Sequence, residues 1–499
     1  MKIMEIMRNK IRSFLQISPP SAAQITIQQR LDYNANAAKN RIWYRGNSQE
    51  LSELYSQLDV PPTMFWKAAC TKGREIRKIH TGLPALIVKT LTNIIINDFN
   101  DVEFIDNDVL AEIWENIKKE NKIEKLLSKC LKNMLIVGDG AFKISFDREI
   151  SKENPIIEFY SGEYVEYTRR RGRITEVIFI TEYINNRRRY ILKEHYGYGY
   201  IKYHLYNESG AETAVNSIPQ TEWINGEGVS FDNRIMLAVP CVYGDSEQYD
   251  GRGENIFDSK VDSFDALDEA WSQWMDALRA GRSKEYIPES LLPRNPNNGL
   301  IITPNSFDNR FIAIGDNMNE QAQNRITLDQ PTIPHESYLS TYITALDLCL
   351  QGIISPSTLG IDVKKMDNAE AQREKEKTTL YTRGNLVQFV EEIMPQLVTA
   401  AVCGYQIWHK LNVEIPKVAV NFGEYANPSF EAVVETVGKA KTQGIMSVEA
   451  SVDELYGDSK DEEWKAEEVA RLKAEQGISE TNEPSVSTEL GNFKVELDD

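Results

Sequence analysis

The stretch FDSKVDSFDALDEAWSQWMDAL, residues 257–278, predicts a helix that carries two opposed stripes. At about 100° per residue, its carboxylates share a sector of roughly 60°. They belong to Asp258, Asp262, Asp265, Glu269 and Asp276. The opposite side gathers the apolar side chains of Phe257, Val261, Phe264, Leu267, Trp271, Trp274 and Leu278. One face is therefore expected to meet a polar medium and the other to pack.

The acidic stripe has two interpretations. Like charges one turn apart cost about 0.2–0.5 kcal/mol per pair, which the solvated face of an ordinary surface helix tolerates. A ring of such helices around a hole would instead form an electronegative wall. The stripe alone favours the surface helix, because amphipathic surface helices are common. The rest of the sequence has to decide between them.

The bulk composition indicates a multidomain protein. The 499 residues exceed one hydrophobic core and predict two to four domains. The net charge of −19, from 75 acidic and 56 basic residues, argues against wrapping nucleic acid over the whole surface, although it permits a duplex that must slide. The five cysteines lie far apart without CxxC spacing, which predicts mostly buried free thiols in a reducing compartment.

No targeting or membrane segment is expected. Residues 1–17 are amphipathic and basic, without the unbroken apolar core of a secretion signal. The most apolar stretch, residues 83–96, is interrupted by Lys89, Thr92 and Asn93 and is too short to span a bilayer. We therefore expect a soluble intracellular product.

Periodicity predicts a helical first segment followed by strands. The predicted helices are residues 48–58, 61–72, 82–98 and 108–135. Residues 141–244 alternate apolar and polar side chains and contain turn signals at 171–172 and 185–186. This pattern is typical of an antiparallel meander.

The part beyond the striped helix, which should end near Gly281, alternates loops and helices. Residues 284–334 are rich in proline and asparagine, with strand candidates at 299–303 and 310–314. A second helix is predicted at 336–350.

The C-terminal third is predicted to be helical. Asn368 can cap a long helix that runs to about Cys403. A helical cluster is expected to begin at 427 and to end near Gly477. The last twenty residues hold six acids and predict a mobile tail.

No catalytic constellation is predicted. The GDG at 138–140 with Lys143 has the residues of a phosphate loop, but a helix precedes it and a strand follows, so it indicates a helix-to-strand turn. The five histidines show no ligand spacing, and His195 and His204 fall in a tyrosine-rich hairpin where packing or exposure is the default. We therefore expect no nucleophile, metal site or cofactor.

Two arginine clusters fall at predicted hairpin turns, at 169–173 and 187–189. They could meet phosphates, but solvated loop tips or salt links to a neighbouring subunit are favoured for short charge runs. Lys364 and Lys365 form only a pair, within a loop that joins two helices.

The order of parts resembles that of the portal proteins of tailed double-stranded DNA bacteriophages, of the siphophage type. Four local segments support the resemblance in the right order. They are RIWYRG at 41–46 with EL at 50–51, GDGAFK at 138–143, IISPSTLG at 353–360 with AEA at 369–371, and GIMS at 444–447 with EEVAR at 467–471. The likeness covers roughly residues 40–478.

The resemblance implies an α+β portal-like fold. Its parts would be an N-terminal arm at 1–29, a wing at 30–255 (helices, then an antiparallel meander), stem helices at 256–283 and 335–353 around a small α/β clip at 284–334, a tunnel loop at 354–367, the long wing helix and return at 368–426, a helical crown at 427–478 and an acidic tail at 479–499.

The resemblance also implies roles for residues. Lys364 and Lys365 of the tunnel loop would contact DNA. The five acids of the stripe would line the channel. The side chains implied to pack neighbouring subunits together are Phe257, Val261, Phe264, Trp271, Trp274 and Leu278.

The implied protein is a cyclic homo-oligomer, normally a dodecamer, at one capsid vertex, assembled in the host cytoplasm. Its partners would be the double-stranded DNA passing through it, the terminase motor, the head–tail adaptor, and the major capsid and scaffolding proteins, with no membrane. It would have no enzymatic activity. Two alternatives stay open, namely a nucleic-acid-processing enzyme with a dispersed active site, or another phage head component such as a minor capsid or adaptor protein.

Overall fold

The computed structural model describes residues 31–70, 75–105, 108–224, 226, 228–302, 311–315, 325–361, 369–423, 430–456 and 462–475. The chain divides into two compact units, Met1–Phe422 (unit 1) and Gly423–Asp499 (unit 2). Helices and strands are both abundant, which is compatible with the predicted α+β class.

The described residues form eleven α-helices. They are α1 (Tyr33–Arg45), α2 (Ser48–Gln57), α3 (Leu83–Asp98), α4 (Asp108–Asn121), α5 (Ile123–Val137), α6 (Val261–Ala280), α7 (His335–Leu350), α8 (Ala369–Trp408), α9 (Phe430–Thr442), α10 (Val448–Tyr456) and α11 (Glu462–Glu475). The described strands are β1 (Phe99–Phe104), β2 (Asp139–Ser145), β3 (Ile156–Ser161), β4 (Val165–Arg170), β5 (Arg173–Asn185), β6 (Arg188–Gly197), β7 (Tyr200–Asn207), β8 (Glu212–Thr213), β9 (Val229–Ser230), β10 (Ala238–Val242), β11 (Lys284–Pro288), β12 (Phe311–Ile314), β13 (Thr327–Asp329) and β14 (Val418–Phe422).

The N-terminal helices follow their local capping signals. The Asp32 side chain accepts the Ala35 N–H at 2.7 Å and starts α1. Gly46, at φ 70°, ends this helix in the left-handed conformation. Pro84 lies in the first turn of α3, as predicted, where its missing N–H costs nothing.

Two helix predictions in this region are wrong. The helix expected at 108–135 is broken into α4 and α5 at Lys122, whose φ is 52°. The helix expected at 61–72 is absent from 61–70, where the chain makes turns, and 71–72 lie outside the described residues. The backbone N–H groups of Phe65 and Trp66, which a helix would need, donate instead to the carboxylate of Asp265.

The predicted meander is present but is divided between two sheets. Strands β4 to β8 form a continuous antiparallel sheet in sequence order, with β9 beside β7. Strand β2 is the centre of a separate antiparallel sheet of order β10-β2-β3. The β5–β6 turn lies at Asn186-Arg187, one residue beyond the expected turn, and both residues have positive φ.

The core of unit 1 is organised around α8. Its apolar face, which includes Leu386, Val390, Met394 and Val398, is buried. Residues Lys377–Trp408 are apolar and long enough to cross a bilayer by composition, but 61% of the most apolar window is buried in the unit. We interpret α8 as a core helix. It ends at Trp408, beyond the predicted Cys403, and its proposed cap Asn368 lies outside the described residues.

The chain between α6 and α7 forms a small mixed sheet. Strand β11 is its centre, parallel to β12 and antiparallel to β13. Strand β12 confirms the candidate at 310–314, whereas β11 was not predicted. The candidate at 299–303 is wrong over the described 299–302, where Ile301 makes one isolated bridge to Arg294.

Unit 2 contains α9, α10 and α11, as the predicted helical cluster requires. Gly444 has a φ of 71° just after α9, and the Ser447 hydroxyl accepts the Ala450 N–H at 3.1 Å to start α10. The expected stop at Gly477 and the tail lie outside the described residues.

Candidate functional site

The striped helix α6 packs against the returning helix α7. The Trp271 and Tyr342 rings lie 5.5 Å apart, and Trp274 stacks on Tyr338 at 6.3 Å with an interplanar angle of 10°. Aromatic pairs of this kind contribute about 0.5–1.5 kcal/mol each beyond their buried area. The two helices therefore form an antiparallel hairpin held by its own aromatic side chains.

Most of the apolar stripe is used inside the chain. Phe257 and Phe264 are 0% and 1% exposed and belong to the core of unit 1. Their predicted role in packing neighbouring subunits is wrong, because the chain's own core already covers them. Trp271 and Trp274 are half-buried because they pack against side chains of α7. Of the six predicted packing residues, Leu278 is exposed, whereas half-buried Val261 packs against the core of unit 1.

Asp265 is a structural carboxylate and does not line a channel. It is 6% exposed and accepts the backbone N–H groups of Phe65 at 3.0 Å and Trp66 at 3.3 Å. Burial raises its pKa, and these two hydrogen bonds oppose the rise. The prediction for Asp265 is wrong because a helical wheel gives the direction in which a side chain points but does not show which other part of the chain packs there.

Asp258 also has a partner set of its own. It lies in the turn before α6, and its Oδ1 accepts from Asn36 Nδ2 at 2.8 Å and Asn40 Nδ2 at 3.2 Å. Its Oδ2 accepts from Asn255 Nδ2 at 2.7 Å. These bonds tie α1 to the start of α6, so we withdraw Asp258 from the channel-lining set.

Asp268, which the sequence analysis did not select, accepts more hydrogen bonds than any of the predicted acids. Its carboxylate accepts from Trp66 Nε1 at 3.2 Å and from the N–H and the hydroxyl of Thr81, both at 2.9 Å. His80 Nδ1 lies 2.7 Å away, and both side chains are 1% exposed. One turn further, Ser272 Oγ accepts the Ile79 N–H at 2.9 Å.

We name Asp265, Asp268 and Ser272 the polar clamp. Their spacing of three and four residues places them on one side of α6. That side holds the described parts of the segment from 65 to 81 by hydrogen bonds rather than by apolar packing. The spacing was visible in the sequence, but nothing there indicated that an extended segment would supply the donors.

Three predicted acids form an open row on the remaining side of α6. Asp262 is exposed, and Glu269 and Asp276 are half-buried. They share a sector of about 40°. Glu269 accepts a hydrogen bond from Gln273 Nε2 at 2.7 Å, within the same face. We name Asp262, Glu269 and Asp276 the open acidic row.

Lys364 and Lys365 lie outside the described residues, but the first part of their loop, residues 354–361, is described and is anchored at its start. The Ser355 N–H donates to the buried Thr379 Oγ1 at 2.8 Å, and Thr382 Oγ1 donates to the Ile353 carbonyl at 2.6 Å. The chain entering the loop is therefore fixed to α8.

The other candidate sites are structural in the described residues. The GDG turn joins α5 to β2, as predicted. Asp139 is fully buried, receives the Tyr33 hydroxyl at 2.5 Å and lies 3.4 Å from Arg252. Lys143 pairs with Glu194 at 2.7 Å, and although burial lowers its pKa, the carboxylates raise it more. No phosphate site is formed there.

The thiols and arginine clusters have ordinary surroundings. Cys130, Cys241, Cys349 and Cys403 are buried and free, and Cys70 is exposed, which confirms the expectation of mostly buried thiols. Within the described ranges no group of three or more His, Cys, Asp or Glu side chains is placed to hold a metal ion. The arginine clusters lie at opposite ends of β5, where Arg169 donates to the Gly251 carbonyl at 2.9 Å and Arg189 pairs with Glu182.

Comparison with known proteins gives structural likenesses only. No family model and no curated protein matches the chain. A chain of "Virion of native gene transfer agent (GTA) particle" is similar at 11% identity, with 85% of this chain and 92% of that chain covered and a TM-score of 0.38. A chain of "Neck of native GTA particle computed with C12 symmetry" is similar at 10% identity, covering 76% and 91%, with a TM-score of 0.37.

Proposed function

We propose that this chain is a portal-type subunit that forms a ring around double-stranded DNA. The observation that carries the proposal is the division of α6 into three sides. One side is filled by the polar clamp and its segment, and a second by α7. The third side presents the open acidic row. A helix hairpin fixed to a large body and presenting acids outward suits a channel wall.

The charge of that side fits a duplex that must move. DNA carries one negative charge per about 1.7 Å of axis, and binding by many lysines would hold it in place through counterion release. In a ring, the carboxylates of all subunits would repel the phosphate backbone of the DNA equally from every side and keep the duplex centred. The uncharged stretch of α7 from 337 to 346 adds no cation to this wall.

The remaining parts follow from this assignment. The mixed sheet between α6 and α7 would be the clip that meets the terminase motor and then the head–tail adaptor. The helices of unit 2 would be the crown. Residues 30–255, with the long helix and return at 368–426, would be the wing, and the ring would meet capsid and scaffolding proteins at one vertex. We propose no enzymatic activity for the chain.

The first test is the mass of the purified protein. A subunit of 57.0 kDa gives a closed ring of about 0.7 MDa if twelve copies assemble with cyclic symmetry. We expect native mass spectrometry to show this species and negative-stain images to show a central hole. A chain that stays monomeric at micromolar concentration would contradict the proposal.

The second test concerns the loop lysines. Replacing Lys364 and Lys365 together with alanine is expected to leave the ring intact but to change DNA packaging or retention, because the loop would lose its phosphate contacts. The matched control is Lys119→Ala with Lys125→Ala, which removes the same charge from exposed positions on α4 and α5. Equal packaging by wild type and both variants would remove the loop from the mechanism.

A further inference from the structure

The β6–β7 hairpin brings two histidines together that are nine positions apart. The register pairs His195 with Lys202 and Lys193 with His204, so the two histidines are diagonal neighbours on one face of the sheet. Their ring centroids are 4.9 Å apart and their planes are inclined at 74°.

Each imidazole faces a carboxylate on its outer side. His195 Nδ1 lies 3.3 Å from Glu176 Oε2, and His204 Nδ1 lies 2.6 Å from Glu212 Oε1. Strands β5, β6, β7 and β8 are consecutive neighbours, so these four side chains form a row across the sheet. An ionised carboxylate only accepts hydrogen bonds, so both Nδ1 atoms are assigned the proton and both Nε2 atoms keep a lone pair.

The inner side of this row has an unsatisfied nitrogen. His195 Nε2 is buried, and none of the residues that the structure describes forms a hydrogen bond with it. Nε2 and Cδ2 form the edge of an imidazole opposite Nδ1, so the Nε2 edges of both rings lie on the inner side, between β6 and β7. A lone pair held in this way needs a cation or a donor.

The surrounding groups hold the row in place. Glu176 also accepts from Thr168 Oγ1 at 3.0 Å and from the Tyr200 hydroxyl at 2.9 Å. These contacts fix the Glu176 carboxylate beside His195 Nδ1. The two nearby lysines are engaged, since Lys193 pairs with Glu166 at 2.8 Å and Lys202 lies 4.9 Å from the Tyr200 ring centroid.

We propose that His195 and His204 bind a divalent transition-metal ion of the zinc class through their Nε2 atoms. Imidazole nitrogen is a preferred ligand of Zn²⁺, and histidine ligands commonly donate the other N–H to a carboxylate. Glu176 and Glu212 are then positioning residues. Water completes the coordination shell, since no group of three potential ligands forms in the described part of the chain.

The test is zinc binding to the full-length protein after chelator treatment and dialysis, measured by titration calorimetry at about pH 7.5, because metal ligands must be deprotonated to bind. We expect one Zn²⁺ per chain, lost in His195→Ala and in His204→Ala. Glu212→Gln is expected to weaken binding about 10-fold or more. His335→Ala, at an exposed position outside the sheet, is the matched control and should bind like wild type.

A second readout keeps the proposal testable if His195→Ala fails to fold. Zn²⁺ should shift the Nε2 resonances of two histidines in ¹⁵N spectra of the wild type, and neither shift should remain in His204→Ala, whose side chain is 35% exposed. Zinc binding that is the same in wild type and His204→Ala would overturn the proposal. So would a wild type that binds no zinc.

Discussion

Replacing Asp268 with alanine is expected to destabilise unit 1 by about 3 kcal/mol or more. The substitution leaves four donors without their acceptor, two on buried side chains and two on half-buried Thr81. They are Trp66 Nε1, His80 Nδ1, and the N–H and hydroxyl of Thr81. Each unsatisfied buried donor costs about 1–3 kcal/mol, and relaxation or water entry recovers part of the sum. Urea unfolding followed by tryptophan fluorescence measures the loss.

The control is Asp262→Ala, six positions earlier on the same helix. Asp262 is exposed, so its loss is expected to change the free energy of unfolding by less than about 0.5 kcal/mol. Both variants remove one carboxylate from α6, and only the buried one removes hydrogen bonds to the segment from 65 to 81. Equal destabilisation by the two variants would mean that the polar clamp does not hold this segment.

The second large effect is expected from reversing the charge of the open acidic row. In Asp262→Lys, Glu269→Lys and Asp276→Lys combined, the proposed channel wall becomes basic in every subunit. We expect the ring to assemble and to bind linear duplex DNA at least about 10-fold more tightly at about 50 mM salt, with most of the gain lost near 200 mM. Filter binding at several salt concentrations measures both, and packaging should fall because the duplex is held.

The same charge change placed elsewhere is the decisive control. Glu112, Glu124 and Glu208 are exposed positions on α4, on α5 and after β7, away from the helix hairpin. Their triple lysine variant alters net charge equally. If both triple variants bind DNA equally well, the open acidic row does not face the duplex. Asp265 is left unchanged in these variants because a buried lysine there would unfold the chain.

The sequence predicted α6 well but its surroundings poorly. The 3.6-residue period located both stripes, and α6 and α7 are close to their expected bounds. The period does not say which neighbour occupies a direction. Asp265 was therefore predicted to be a solvated acid, and Phe264 was predicted to contact another subunit. Both errors have one cause, since the segment from 65 to 81 and the core of unit 1 reach α6 from far away in sequence.

The histidine pair shows a different limit. His195 and His204 match no ligand spacing, and only the register of the β6–β7 hairpin brings their rings into contact. That register is set at the turn, where Gly199 has a φ of 81°, a conformation that favours glycine. Folding the predicted hairpin about this glycine would have revealed the pair, although not the carboxylates beside it.

The polar clamp also has a mechanical consequence. The last clamp residue on α6 is Ser272. The eight helical residues beyond it span about 12 Å, at 1.5 Å per residue. Over this length α6 packs on α7. A lateral force on the far end of the hairpin would therefore be borne by the hydrogen bonds of the polar clamp. Such bonds break over a small displacement, whereas apolar contacts slide. Strain would reach Trp66 and His80 first, and through them the ring of Trp43, which lies 5.5 Å from His80.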